Sequence, residues 1–402
     1  MKVLIVTHSV PSPPLTGNGL MGLHHIRHLA ARHTVDLISF KNTKNPNEMN
    51  DVSPWCNDIE LVNSPPRWRV LSNLLIGVLR DAPLGVFRYR STKMTSSVNT
   101  RLRNTVYDVV IYQGLQMCQY LPHWYGGAAV SVLEDPPALT SQQMLHLCPW
   151  YVRPLVWNRI GRQKRYESRY EPRFDRILLV NQNDCITYND IHKKAMVDWV
   201  PVGIDTSTFS PSHEIPRKDG MIVISGNMRR RPNVEGVLYF CRRVFPLICE
   251  QVPSATLWLV GADPATAIRE LKKDSRIKIT GFVPDVRHYL RQAMVSVCPI
   301  QLKIGTQTKI LEALACGTPV VTSSAGNHGI CGVSGKDLYV ADDTAEFADR
   351  VVSLLRRERW SEFSLNGRRL VEDNFTWAKS VEKLEQLLEQ LVATSRRDLV
   401  CQ

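Results

Sequence analysis

Lys309 and Glu312 stand three residues apart in the run Gly305-Thr306-Gln307-Thr308-Lys309-Ile310-Leu311-Glu312-Ala313-Leu314-Ala315-Cys316-Gly317-Thr318-Pro319-Val320-Val321. An ammonium suits a diphosphate, and a carboxylate one turn deeper accepts two hydrogen bonds from a ribose diol. The run reads as a strand end, a glycine turn, a three-turn helix, a glycine stop and another strand. Ile310, Leu311 and Leu314 fall on the face toward the sheet, while Lys309 and Glu312 share the other. Thr306 is the expected N-cap. First-turn amides at Gln307, Thr308 and Lys309 then form an anion site at the positive end of the helix dipole. The same spacing equally describes a solvated Lys–Glu pair on an ordinary helix, worth about 0.2–0.5 kcal/mol. The residues alone leave both readings open.

A helix of this kind needs a sheet edge behind it, and the chain carries two β/α series. Lys2 to Thr7 is a β-branched run of the sort buried on both faces, broken by Pro11, Pro13, Pro14, Gly17 and Gly19. A helical pattern from Leu20 to Leu29 and a strand at Val35–Ser39 complete a βαβ unit. Asp108–Tyr112, Val130–Leu133 and Ile177–Val180 read as further parallel strands. The pattern restarts at Met221–Ser225, with Gly226 beginning a turn, and continues through Leu257–Val260, Ile277–Ile279, Val295–Pro299 and Val320–Thr322. The expected architecture is therefore α/β, with two doubly wound domains. Their bounds are 1–199, with a closing helix at 378–395 packing back onto it, and 200–377.

The chain has 402 residues, 44% hydrophobic and 22% charged, an ordinary globular balance suited to two domains of about 150–200 residues. Its 50 Lys and Arg against 38 Asp and Glu give a net charge of +12, which favours an anionic partner. Dispersed basic residues without a recognised module argue against nucleic acid. The ten cysteines show no Cys-x-x-Cys and no zinc spacing with histidine, so they read as small buried hydrophobes in a reducing compartment. His24, His25 and His28 lack a fourth metal ligand and read as solvated. The apolar start Met1–Val6 is short for a signal peptide, and no stretch reaches the roughly 20 apolar residues of a spanning helix. The expectation is a cytoplasmic protein. From Arg67 to Tyr89, apolar residues around Trp68, Leu71 and Leu75 interleave with Arg67, Arg69, Arg80 and Arg88. Such a segment lies in an anionic membrane interface or packs as a core helix with a solvated basic edge.

The 305–321 run resembles the signature of GT-B fold, retaining glycosyltransferases of family 4, a group that includes glycogen-synthase-like and bacterial polysaccharide enzymes. Other stretches are similar in order and spacing: Gly17-Asn18-Gly19, Phe174-Asp175-Arg176, Val202-Gly203-Ile204-Asp205, Gly226-Asn227-Met228 with Pro232-Asn233-Val234, and Gly281-Phe282-Val283-Pro284-Asp285. The resemblance covers essentially the whole chain. It implies two Rossmann-like domains facing a central cleft, with a nucleotide-diphosphate sugar held by the C-terminal domain and a sugar or lipid-linked acceptor. Lys309 would bind the diphosphate, Glu312 the ribose, Val283 would lie by the base, and Gly305, Thr306, Gln307 and Thr308 would touch phosphate or sugar. Gly226 would open the donor turn, with Arg229, Arg230 and Arg231 as diphosphate cations or as an exposed basic turn. Gly17 and Gly19 would form a loop admitting the donor phosphate. Glu134 or Asp135 would shape the acceptor pocket or serve as a turn residue.

Two positions depart from the family pattern: Ile304 replaces a frequent glutamate, and Gln307 an arginine. The implied reaction retains anomeric configuration and uses no metal or other cofactor, in keeping with the lack of an Asp-x-Asp motif. A sugar-nucleotide epimerase on the same fold, and a catalytically silent nucleotide-sugar binder, are the competing readings.

Overall fold

In the computed structural model, the aliphatic run Lys2–Thr7 forms strand β1, buried at every residue but Lys2. The structure describes residues 1–12, 17–41, 49–193, 195–212, 214–303 and 305–400. Around β1, six further parallel strands assemble: β2 (Thr34–Lys41), β3 (Asp58–Asn63), β4 (Val109–Gln113), β5 (Ala128–Val132), β6 (Arg176–Leu179) and β7 (Val197–Trp199). The order is β3-β2-β1-β4-β5-β6-β7, so the chain first winds outward from β1 to one edge and then from β4 to the other. This sheet belongs to one unit, Met1–Pro201 together with Ser380–Gln402.

The second unit, Val202–Lys379, repeats the plan. Its parallel strands are β8 (Lys218–Ser225), β9 (Thr256–Val260), β10 (Ile277–Gly281), β11 (Ala293–Cys298), β12 (Val320–Thr322) and β13 (Tyr339–Val340), in the order β10-β9-β8-β11-β12-β13. Both sheets are therefore doubly wound, each with a switch of direction beside its first strand. In such sheets, ligands bind outside the carboxyl ends of the strands at that switch.

Each unit has its own core. Ile222, Val295, Val297 and Val321 anchor that of the second, and Leu4, Val6, Val110 and Ile177 that of the first. Helix Trp377–Val400 enters the first unit from Ser380, whose buried hydroxyl donates to the Pro201 carbonyl at 2.5 Å. Glu385 there receives Arg32 at 2.8 Å. Six of nine described cysteines are buried and none is in a disulfide.

Candidate functional site

The direction switch of the second sheet lies between β8 and β11, and the segments leaving these two strands carry the predicted nucleotide residues. Gly226 follows β8 with φ +134°, a conformation in which a side chain is strained. Gly261, directly after β9, approaches so closely that a Cβ there would come 1.7 Å from the Gly226 carbonyl oxygen. A Cβ on Gly226 would in turn lie 3.5 Å from Lys309 Nζ. The backbone turn and the ammonium thus share one small volume.

Asn233 makes the link. Lys309 Nζ donates to Asn233 Oδ1 at 2.6 Å, and Asn233 Nδ2 donates to the Asn227 carbonyl at 2.7 Å. One amide therefore fixes both the turn and the lysine, although 76 residues separate Asn233 from Lys309. Glu312 lies one turn further along helix Thr308–Ala315. Burial pushes its carboxyl up to about 7, with the Lys309 charge opposing the shift. The residue is half-buried and no hydrogen bond reaches its carboxylate among the described residues, so it is a partly desolvated acceptor close to a held cation.

The sequence reading of this helix's inner face holds for burial: Ile310, Leu311 and Leu314 are all buried, although Leu314 packs onto Gly367 of helix Trp360–Asn374. Its start differs from the expectation. The N-cap position is Gln307, without a side-chain cap, and Thr306 Oγ1 instead donates to the Gly329 carbonyl at 3.4 Å. Because the helix begins at Thr308, the Thr308 and Lys309 amides have no intrahelical carbonyl to receive them. The far end is closed by a Schellman turn: Gly317 has φ +67°, and Thr318 and Gly317 donate to Ala313 and Leu314.

Two guanidinium groups that the sequence reading did not single out complete that end. Arg217 donates to the Cys316 and Gly317 carbonyls at 3.1 and 2.9 Å, and Arg368 to Ala315 at 2.5 Å. Half-buried cations at a helix C-terminus complement its dipole and fix its axis. They come from distant segments, and no local pattern announces them.

The remaining nucleotide candidates sit around this centre. Gly305 is buried with φ +58°, while Thr306, Gln307 and Thr308 are half-buried. Val283 is half-buried in the loop after β10, behind an exposed Phe282. Arg229, Arg230 and Arg231 are all exposed in the Gly226 turn, with Arg231 paired to Glu235 at 3.7 Å. Ile304 lies outside the described residues.

The first unit corrects several expectations. Gly17 and Gly19 are not in a loop; they form the first turn of helix Gly17–Leu29. His25 is not solvated. It is buried, and desolvation, reinforced by His24 and His28, lowers it to about 4. Asp135 is exposed beyond the carboxyl end of β5, with Glu134 half-buried beside it. Helix Arg67–Leu79 is no core helix: it buries only Asn73 and Gly77 and leaves Trp68, Leu71, Leu75 and Leu79 exposed.

A buried polar cluster not foreseen from sequence joins Glu167 and Glu171 to His192, at 3.2 and 3.0 Å. Burial opposes the charge on His192, but hydrogen bonds to both carboxylates outweigh it and raise the imidazole to about 9. A protonated imidazole with both N–H groups donating accounts for the arrangement as a clamp between two helices.

Comparison with known proteins bears on the family-like stretch and on the fold. Residues 219–357 match the family Glycosyl transferases group 1. Over 228 residues the chain is 21% identical to Vi polysaccharide biosynthesis protein VipC/TviE of Salmonella typhi, covering 49% of this chain and 39% of that one. The chain spans about half, or less, of the curated relatives it matches. Sucrose-phosphate synthase from Thermosynechococcus elongatus superposes with a TM-score of 0.72 at 18% identity, over 98% of this chain and 100% of that one. HepE from Anabaena, solved with UDP and glucose, gives 0.66 at 14% identity, over 97% and 100%. Gly226, Asn233, Lys309 and Glu312, at the switch point of the second sheet, thus lie in the stretch that is similar to the group 1 glycosyl transferases, and the chain shares the two-domain GT-B fold of these solved structures.

Proposed function

We propose that the protein is a retaining glycosyltransferase that takes a sugar from a nucleotide diphosphate and passes it to an acceptor hydroxyl in polysaccharide or glycolipid synthesis. The observation that carries this reading is the pairing of Lys309, held over the Gly226 turn by Asn233, with the half-buried Glu312 one helical turn away. The ammonium and the Thr308 and Lys309 amides bind the diphosphate, and Glu312 accepts the ribose hydroxyls. Arg229 or Arg230, exposed in the turn, adds charge at the same phosphates.

In the reaction, the bond between the anomeric carbon and the β-phosphate oxygen breaks as the acceptor oxygen attacks the same face. The acceptor proton passes to the departing phosphate oxygen, so no dedicated base is needed. Catalysis then rests on preorganised positive charge at the leaving group. These side chains take the place of a metal ion. In the first unit, Asp135 stands where an acceptor group is expected, at the carboxyl end of β5. The relative from Salmonella typhi, named for polysaccharide biosynthesis, supports that product class.

The acceptor is lipid-linked in this reading, because helix Arg67–Leu79 presents an apolar face with basic flanks suited to an anionic membrane surface. No helix among the described residues is long and apolar enough to cross a membrane. The test is mass spectrometry of products from UDP-, GDP- and ADP-sugars with lipid-linked and soluble acceptors, with and without EDTA. A glycosylated lipid formed equally in EDTA is expected. Free sugar epimer without acceptor, or a product lost to EDTA and rescued by magnesium, contradicts the proposal.

A further inference from the structure

Helix Arg67–Leu79 is turned inside out. Its small and polar residues face the protein: Asn73 Nδ2 donates to the Arg90 carbonyl at 2.8 Å, and Gly77 admits the short helix Leu84–Phe87 so closely that a Cβ would sit 3.2 Å from Phe87 Cβ. The helix ends on Asp81, which is left-handed at φ +51°. That conformation is costly for a residue other than glycine, and here the carboxylate is gripped by Arg162, at 3.2 Å, and by Arg165, both from helix Arg153–Tyr170.

The two helices border an open cavity of about 710 Å³. Its apolar lining comes from Val78, Leu84, Leu115 and Leu155, with Val78 contributed by the same 67–79 helix that exposes its leucines. Helix Arg153–Tyr170 lends it Arg159 and Gln163. Arg159 is exposed and makes no ion pair among the described residues. Gln163 is buried, and its Oε1 accepts no hydrogen bond among them. Buried amide oxygens are ordinarily satisfied, so this one marks a place where a donor is expected. The 153–170 helix carries six basic residues against one acid, the buried Glu167, and the 67–79 helix has no acid.

We infer that this cavity binds the hydrocarbon chain of a membrane-borne amphiphile, a single-chain alkyl or prenyl phosphate, with its anionic head at Arg159. The inference rests on the proposed lipid-linked acceptor and gives that acceptor's chain a place. Apolar walls take the chain, the basic mouth takes the phosphate, and the exposed leucines bring the mouth to the bilayer.

The experiment is calorimetric titration of the full chain with monomeric octyl phosphate, with octanol and inorganic phosphate as parallel arms. Octyl phosphate should bind with a negative heat-capacity change and more tightly than either arm. Gly85 lines the cavity and has nothing within 4 Å of an added Cβ, so the side chain of Gly85→Trp starts in open space at the cavity. Because glycine is unfavourable within a helix, the variant should fold at least as well as the wild type. It should weaken octyl phosphate by about tenfold or more. Arg159→Gln should reduce octyl phosphate toward octanol and leave octanol unchanged, and Trp68→Ser with Leu71→Ser should leave octyl phosphate unchanged. Octyl phosphate binding no tighter than inorganic phosphate, or unaltered in a folded Gly85→Trp, overturns the inference. Vesicle sedimentation separates it from the membrane reading. Wild type that sediments with anionic vesicles but ignores octyl phosphate loses the cavity alone. Wild type that binds octyl phosphate but does not sediment loses the membrane surface alone.

Discussion

Helices Thr308–Ala315 and Arg67–Leu79 are both rich in leucine, and they face opposite ways. The first buries Ile310, Leu311 and Leu314 beneath a rim that holds Lys309 and Glu312. The second buries Asn73 and Gly77 and turns Trp68, Leu71, Leu75 and Leu79 outward. Leucine content does not decide between these outcomes. What decides is the demand made by the neighbours. For the 308–315 helix, the fully buried strands β11 and β12 offer an apolar face, and two guanidinium groups fix the C-terminal carbonyls. For the 67–79 helix, the Arg90 carbonyl needs a donor and the 84–87 helix needs space, so an asparagine and a glycine take the inner face. One helix is stabilised by its own leucines, whereas the other keeps them for something else.

The comparison breaks most readily at Lys309. Lys309→Ala should lower transfer from the preferred sugar nucleotide by about 100-fold or more, the cost of removing a preorganised charge at a leaving group. Steady-state kinetics check this, and near-wild-type turnover would remove the lysine from the site. A second contrast concerns stability. Leu311→Ala should cost about 2–5 kcal/mol because it leaves a cavity against the sheet, whereas Leu71→Ala should stay within about 0.5 kcal/mol. Urea unfolding of the two variants reads the difference directly, and equal costs would mean that the outward helix is packed after all.

A smaller effect sharpens the outward side. At low salt the protein should sediment with phosphatidylglycerol vesicles and not with phosphatidylcholine, and high salt should release it. Trp68→Ser with Leu71→Ser should reduce the bound fraction by about tenfold while nucleotide-sugar hydrolysis stays unchanged, since each apolar side chain adds about 1.5–3 kcal/mol when buried. Equal sedimentation with both lipids would return the patch to a role between proteins.

Much of this was legible from sequence because buried parallel strands are continuous aliphatic runs. Lys2–Thr7, Met221–Ser225 and Val320–Val321 needed no partner information to be read as strands. The 308–315 helix was legible for a similar reason, with its apolar spacing and its glycine stop lying within one short run. What sequence concealed was long-range. Asn233 is unremarkable until its amide lies against Lys309, and Arg217 and Arg368 reach carbonyls about 100 and 53 residues away. Thr306 looked like a cap because its type suits one, but its hydroxyl turns to Gly329 and the helix starts two residues later. Gly17 and Gly19 looked like a loop because glycine is common there, yet they open a helix. The His24–His25–His28 group looked solvated, but the fold buries its middle member.

The central claim is that Glu312 is a half-buried, partly desolvated carboxylate that accepts from hydroxyl donors, and pH-dependent nucleotide binding tests it most directly. Burial raises this carboxyl to about 7, so in the free protein it is largely protonated below that pH and ionised above it. Ribose hydroxyls donate to the ionised form, so binding favours loss of the proton. Calorimetric titration with the best-bound nucleoside diphosphate should then show affinity rising by about tenfold from about pH 6 to about pH 8. The diphosphate's own titration is common to wild type and Glu312→Gln, so the difference between their slopes isolates Glu312. A steeper slope in the wild type is the predicted result. Identical slopes with equal affinity in both proteins would contradict the account.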